Sequence, residues 1–191
     1  DLDGDMVKLG KEHPSLVAMN EDAFNKLDVK VRNEDALQFL NESKETFDLI
    51  IVDLPDPHHE SLAKLYSVSF YQQLMHRLND DGLAALQLGS PFFANRTYWS
   101  SVSTMRKAGW NVRPYHAEVP SFGIWGFGLA SKGEVPVAPL KAYEGRFFDS
   151  RYEDELFRFP KDLKSQHPVE PNTLLRPVIV EYFRRDWRSW N

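Results

Sequence analysis

The stretch Phe47-Asp48-Leu49-Ile50-Ile51-Val52-Asp53-Leu54-Pro55-Asp56-Pro57 decides the fold. The residues after Asp48 are apolar without alternation, the pattern of a strand covered on both faces in a parallel sheet flanked by helices. The strand stops at Asp53, because Pro55 and Pro57 each lack a backbone N–H and force the preceding residue out of helical space. Residues 53–57 thus make a stiff loop with two carboxylates three residues apart, just beyond the carboxyl end of a buried strand. Open α/β sheets bind their ligands at that position.

Beyond the loop, apolar periodicity predicts a helix over about 62–78, a turn at 79–82 and a second buried strand over 83–88. A helix over 96–108 and two strands, 111–115 and 125–131, close the region. The link Val119-Pro120-Ser121-Phe122-Gly123 is too short for a helix, so the final strand is antiparallel. Before the loop, Met6, Leu9, His13, Leu16 and Val17 predict a helix over 5–20 that breaks or restarts at Pro14. Val29-Lys30-Val31 predicts a short strand, and Leu37, Phe39 and Leu40 a helical patch. The expected fold class is therefore α/β, with right-handed crossovers, a mainly parallel sheet and an antiparallel final strand.

From Gly133 the chain turns aromatic, charged and proline-punctuated. We expect a Rossmann-like domain over 1–132 and a small helical extension over 133–191 packed on it. Ile179, Phe183, Trp187 and Trp190 would form one buried stripe of its last helix, although Val178-Ile179-Val180 would also suit a strand.

The 191 residues are 42% hydrophobic, enough for a substantial core. With 23 basic against 28 acidic residues the net charge is −5, without the basic bias of a nucleic-acid binder. No apolar run reaches the roughly 18–20 residues a membrane-spanning helix needs. The absence of cysteine excludes disulfides, a thiol nucleophile and thiolate metal sites, and fits a reducing, cytoplasmic setting.

The acidic residues at expected strand ends are Asp1, Asp3, Asp35, Asp53 and Asp56. A carboxylate after one strand can take both hydroxyls of a ribose, and one after the next can accept from an exocyclic adenine amine. The same positions equally suit helix caps. Asp53 and Asp56 can converge on one small cation, hold a diamine, or take a proton from an ammonium before its nitrogen attacks. A metal needs more ligands: His58 and His59 are adjacent on a loop and point apart, so no metal is expected. Gln87 ends a strand facing the ligand crevice. Phe122 and Trp125 could wall an aliphatic chain or face a cation, or simply pack a hairpin. Arg184, Arg185 and Arg188 read as a solvated helix face.

In order along the chain, these elements resemble the spermidine/spermine synthase family, the polyamine aminopropyltransferases. The matching stretches are Asp1-Leu2-Asp3, Asn33-Glu34-Asp35-Ala36, 47–57, Leu65-Tyr66-Ser67 with Phe70-Tyr71, Gln87-Leu88-Gly89-Ser90-Pro91 and 119–127. The resemblance covers about residues 1–132, and the D-x-x-D-P loop is its most specific piece. It implies a methyltransferase-like Rossmann fold and aminopropyl transfer from decarboxylated S-adenosylmethionine, a co-substrate, to a diamine such as putrescine. Asp53 matches the family's base and Asp56 the carboxylate that holds the polyamine. Asp1 matches the ribose ligand, Asp35 and Ala36 the adenine-binding pair, and Gln87 a position at the site's rim. Phe122 stands about where many members carry an acceptor-binding tyrosine, with Trp125 as a substitute apolar wall. A homodimer is expected.

The family's glycine-rich donor loop and the strand before it would precede Asp1, so the expectation is that these residues are part of a longer protein. The tail resembles extensions of bacterial members whose amino-terminal half spans the membrane, which suggests the cytosolic domain of a membrane-anchored parent. Two other readings stand beside the first. One is an S-adenosylmethionine-dependent methyltransferase; against it, Asp53 and Asp56 would oppose a donor that keeps its own carboxylate. The other is a non-catalytic polyamine-binding domain.

Overall fold

The computed structural model describes residues 1–26, 28–135, 145–146 and 149–188. They fall into two compact units, Asp1–Lys44 and Glu45–Asn191.

The first unit contains α1 (Gly4–Glu12), α2 (Pro14–Met19), a 3₁₀ turn (Ala23–Asn25) and α3 (Ala36–Glu42). Each start has a chemical reason. Asp3 Oδ1 accepts from the N–H groups of Asp5 and Met6, satisfying orphan donors of α1. The predicted break falls at extended His13, and Pro14 occupies the first turn of α2, where its missing N–H costs nothing. The strand expected at Val29-Lys30-Val31 does not form. β-branched residues favour a strand only when a ladder receives them; here Val29 turns its N–H back to Lys26 O at 3.1 Å and stays 42% exposed.

The second unit holds a four-stranded sheet: β1 (Phe47–Val52), β2 (Leu78–Gly89), β3 (Asn111–Val119) and β4 (Gly123–Ser131), in the order β1-β2-β4-β3. β1 and β2 run parallel, and β4 is antiparallel to both of its neighbours. The sheet is thus mixed, and the antiparallel final strand is as expected. Its helices are α4 (Glu60–Ala63), α5 (Val68–His76), α6 (Asn95–Lys107), α7 (Glu153–Leu156) and α8 (Val178–Arg188). Phe70, Leu86, Tyr98, Met105 and Ile179 are among its fully buried side chains.

Three local expectations are corrected. The single helix expected over 62–78 is α4, a 3₁₀ turn at Lys64–Tyr66, and α5, because Ser67 leaves helical space and caps a new helix through its hydroxyl. Asn79-Asp80-Asp81-Gly82 is not a connection before the strand but lies inside β2. The ladder jumps from Phe47↔Leu78 to Leu49↔Leu83, so the turn-forming residues bulge out between two paired stretches. Nor is β1 covered on both faces: Ile50 and Val52 are half-buried, whereas Leu49 and Ile51 are 58% and 73% exposed. An apolar run specifies a strand, but its coverage depends on what lies against each face.

The C-terminal segment is helical at Val178–Arg188, not the alternative strand. Ile179 is fully buried, and Phe183 and Trp187 are half-buried, while Trp190 lies outside the described residues. Its polar anchor is Asp186, only 4% exposed. α6 has no capping side chain of its own, and Asp186 Oδ2 accepts from the N–H groups of Arg96 at 2.9 Å and Thr97 at 3.3 Å. Asp186 Oδ1 meets the Arg96 guanidinium at 2.7 Å. One carboxylate thus caps α6 and neutralises a half-buried cation. Asp186→Ala leaves both unpaired and is expected to cost about 3 kcal/mol, read as a lower urea midpoint at unchanged slope.

Candidate active site

Because β1 and β2 are parallel, the loops that come after them leave the sheet on the same edge. β4 starts beside the end of β2, with Gly89 opposite Gly126, so the β3–β4 turn reaches that edge too. The topology therefore collects Asp53–Pro57, Gln87 and the Phe122–Trp125 turn at one end of the sheet.

Within the Asp53–Pro57 loop the two carboxylates differ. Asp53 is exposed, and among the described residues it takes no hydrogen bond or ion pair. Asp56 is half-buried and accepts from Gln87 Nε2 at 3.3 Å. Burial holds the Asp56 carboxyl above its ordinary value, partly offset by the Gln87 hydrogen bond and the nearby charge of His58. Gln87 Oε1 is buried with no hydrogen-bond partner among the described residues. An acceptor left so is costly unless a donor arrives from outside the chain. Asp53, Asp56 and this carbonyl form an acceptor-rich site suited to a ligand with N–H donors and positive charge.

Gly89 turns the end of β2 beside Asp56. Its φ is +81°, and a Cβ there would lie 3.4 Å from Asp56 Oδ1. Gly89→Ala is expected to destabilise the fold by about 1–2 kcal/mol through the left-handed backbone, while the added methyl makes only ordinary van der Waals contact with Asp56. Thermal melting of the variant checks this.

Phe122 and Trp125 pack on each other with ring centroids 5.2 Å apart, and Phe122 is 60% exposed. This is the expected aromatic pair, and its outer ring is available to a ligand.

Asp1, Asp35 and Ala36 lie in the first unit. Asp1 Oδ1 accepts from Asp3 N–H at 2.8 Å, and the Asp1 carbonyl accepts from the Asn33 side chain at 3.5 Å, so Asp1 sits beside the turn leading to Asp35. Asp35 Oδ1 accepts from Leu37 N–H at 2.7 Å, capping the helix that Ala36 begins. The helix-cap reading of Asp35 and Asp3 is therefore realised in the structure.

Sequence reasoning placed Tyr66 in a matching stretch but gave it no role at the site. It is 2% exposed, and its hydroxyl donates to Pro55 O at 2.9 Å, between the two carboxylates. The sequence places a tyrosine beyond the loop but carries no sign of the hydroxyl's target. Among the described residues, no group of three or more His, Asp or Glu side chains could hold a metal ion, and no helix is long and apolar enough to cross a membrane.

Residues 1–141 match the spermine/spermidine synthase domain family. Polyamine aminopropyltransferase 2 of Ralstonia nicotianae is 43% identical over 191 residues, 99% of this chain. Polyamine aminopropyltransferase 1 of Streptomyces coelicolor is 39% identical over all of it. The chain spans little more than a third of those relatives' own length, 37% and 36%. Among solved structures, spermidine synthase from Thermotoga maritima aligns with a TM-score of 0.69 at 21% identity, over 85% of this chain and 58% of that one. A spermidine synthase in complex with the transition-state analogue AdoDATO aligns at 0.71 and 21%, over 85% of this chain and 59% of that one. At that identity the structures establish a shared fold.

Proposed function

The chain belongs to the spermine/spermidine synthase family, and from that membership we propose that it forms the catalytic part of a polyamine aminopropyltransferase. The reaction moves the aminopropyl group of decarboxylated S-adenosylmethionine to a diamine, with putrescine as the default acceptor. The observation that carries this reading is the acceptor-rich site: the Asp56 carboxyl on Gln87, and a buried Gln87 carbonyl and an Asp53 carboxylate that take no hydrogen bond among the described residues. A diammonium ligand supplies the charge and the N–H donors these groups lack.

In this mechanism Asp56 and Gln87 hold the acceptor, while Phe122 and Trp125 lie along its methylene chain. Asp53 takes a proton from the attacking ammonium. The freed nitrogen lone pair forms a bond to the propyl carbon next to the sulfonium. The carbon–sulfur bond breaks in line, its electron pair returns to sulfur, and methylthioadenosine leaves. Sulfonium is already a good leaving group, so the protein supplies alignment and the free amine. Asp1, Asp35 and Ala36 are assigned to the nucleoside of the donor. No metal takes part in this scheme.

The test is mass spectrometry of products from the longest form of the protein carrying these residues, incubated with decarboxylated S-adenosylmethionine and putrescine. Spermidine plus methylthioadenosine is the expected result. Methylated product from ordinary S-adenosylmethionine, or no product from either donor, would overturn the reading. We further propose a cytoplasmic, homodimeric enzyme domain, in keeping with the family resemblance and the absence of cysteine, attached to a membrane-anchored parent on the strength of the tail's resemblance. Sedimentation of the purified domain and membrane fractionation of cells test these two points.

A further inference from the structure

Asn172 is fully buried, yet it is polar and far along the chain from the carboxylate loop. Every polar group it carries is engaged. Its Nδ2 donates to Ala63 O at 2.9 Å and Tyr66 O at 3.1 Å, the carbonyls that end α4 and the adjoining 3₁₀ turn. Helix ends leave such carbonyls without intrahelical partners. Asn172 Oδ1 accepts from Ile179 N–H at 3.3 Å near the start of α8, and its own N–H donates to Thr104 Oγ1 of α6 at 2.8 Å. Its carbonyl accepts from Val68 N–H at 3.0 Å, at the first residue of α5.

This hub fixes the backbone of Tyr66, whose ring is clustered with Ile179 and Val180 of α8. The Tyr66 hydroxyl then donates to Pro55 O at 2.9 Å, within the loop whose flanking residues are Asp53 and Asp56. Burial first, then Tyr71 and the carboxylates of Asp56 and Asp53, hold the Tyr66 phenol well above its ordinary value, so its hydroxyl stays a donor.

We propose that Asn172 is a positioning residue for the carboxylate loop, acting through Tyr66: the C-terminal segment sets the placement of Asp53 and Asp56 without touching either. Its catalytic consequence rests on the function proposed above, while its structural part stands without it. Loss of one hydrogen bond at Pro55 lets the loop drift, and small displacements of positioned groups lower rates steeply.

The test is a double-mutant cycle of Tyr66→Phe and Asn172→Ala, with Asn172→Ser as a milder change if the alanine variant folds poorly. Two readouts are used. In aminopropyl transfer, Tyr66→Phe is expected to lower kcat/KM for the amine about tenfold, with the donor KM unchanged. Adding Asn172→Ala should then lower it by less than about twofold more, the non-additivity of residues acting in series. Additive losses, or losses shared equally by amine and donor, would reduce Asn172 to a general stabiliser and overturn the proposal. The second readout is amide exchange of His58, which donates to Asp56 O at 2.7 Å and reports on the loop with no substrate present. Faster exchange there in both single variants, with β2 unchanged, supports the positioning role even if the protein transfers no aminopropyl group. Unchanged His58 exchange overturns it.

Discussion

Asp53→Asn is expected to lower aminopropyl turnover by about 10²–10⁴-fold, the usual worth of a general base, with the donor KM unchanged. The substitution keeps the shape of the side chain and leaves the proline-stiffened loop intact, so the loss reports proton transfer. Asp53 suits the role because it is exposed at the loop's start and engaged by none of the described residues. The chemistry also implies a pH signature. Without the base, solution must deliver the neutral amine, whose ordinary pKa lies near 10. The variant's rate should therefore climb about tenfold per pH unit through the neutral range, while the parent's profile stays flatter. Release of methylthioadenosine measured from pH 6.5 to 9 checks both features, and near-normal turnover in the variant would remove Asp53 from the mechanism.

Asp56→Asn should raise the amine KM by about 10–100-fold, the scale of a lost charge-assisted hydrogen bond. It should also make the unliganded protein more stable at pH 7. Burial decides the sign. The folded state holds the Asp56 carboxyl above its ordinary value of 3.8, so it binds that proton more tightly than the unfolded chain does. The stabilisation from this group is complete below the ordinary value and is lost as pH rises through the raised one. At neutral pH the ionised, half-buried carboxylate is a cost, which Asn lacks while still accepting from Gln87. Melting temperature should rise by about 1–3 °C at pH 7, and the gain should vanish near pH 3. At equal concentration putrescine should raise the melting temperature of the parent protein by more than that of the variant. A variant that melts lower at pH 7, or keeps its amine KM, would contradict this account of Asp56.

These residues were legible because they sit where local rules are strong. The apolar run ending in two prolines fixed a strand and a stiff loop together, and a parallel neighbour was enough to bring Gln87 to the same edge. Pro14 marked its helix break for the same local reason. Elsewhere the deciding partner lay far away. Val29-Lys30-Val31 has strand composition, but composition does not supply a ladder. Asn79-Asp80-Asp81-Gly82 has turn chemistry, and the same chemistry serves a bulge once Phe47 and Leu49 pair on either side of it. Tyr66 and Asn172 meet across 106 residues, and only the folded chain says which carbonyls they find. For Asp35, the sequence offered both a nucleoside ligand and a helix cap; the cap is visible because it needs only residues two positions away.

The Asp186 carboxylate caps a helix 90 residues earlier in the chain. A ribosome adding about 5–20 residues per second makes α6 roughly 5–18 s before its cap exists. During that interval the nascent helix holds Tyr98, Val102 and Met105 without the element that pins its start. Folding of this unit is therefore completed only after release of the α8 residues from the exit tunnel. Synonymous changes that slow translation between α6 and α8 lengthen the exposed interval.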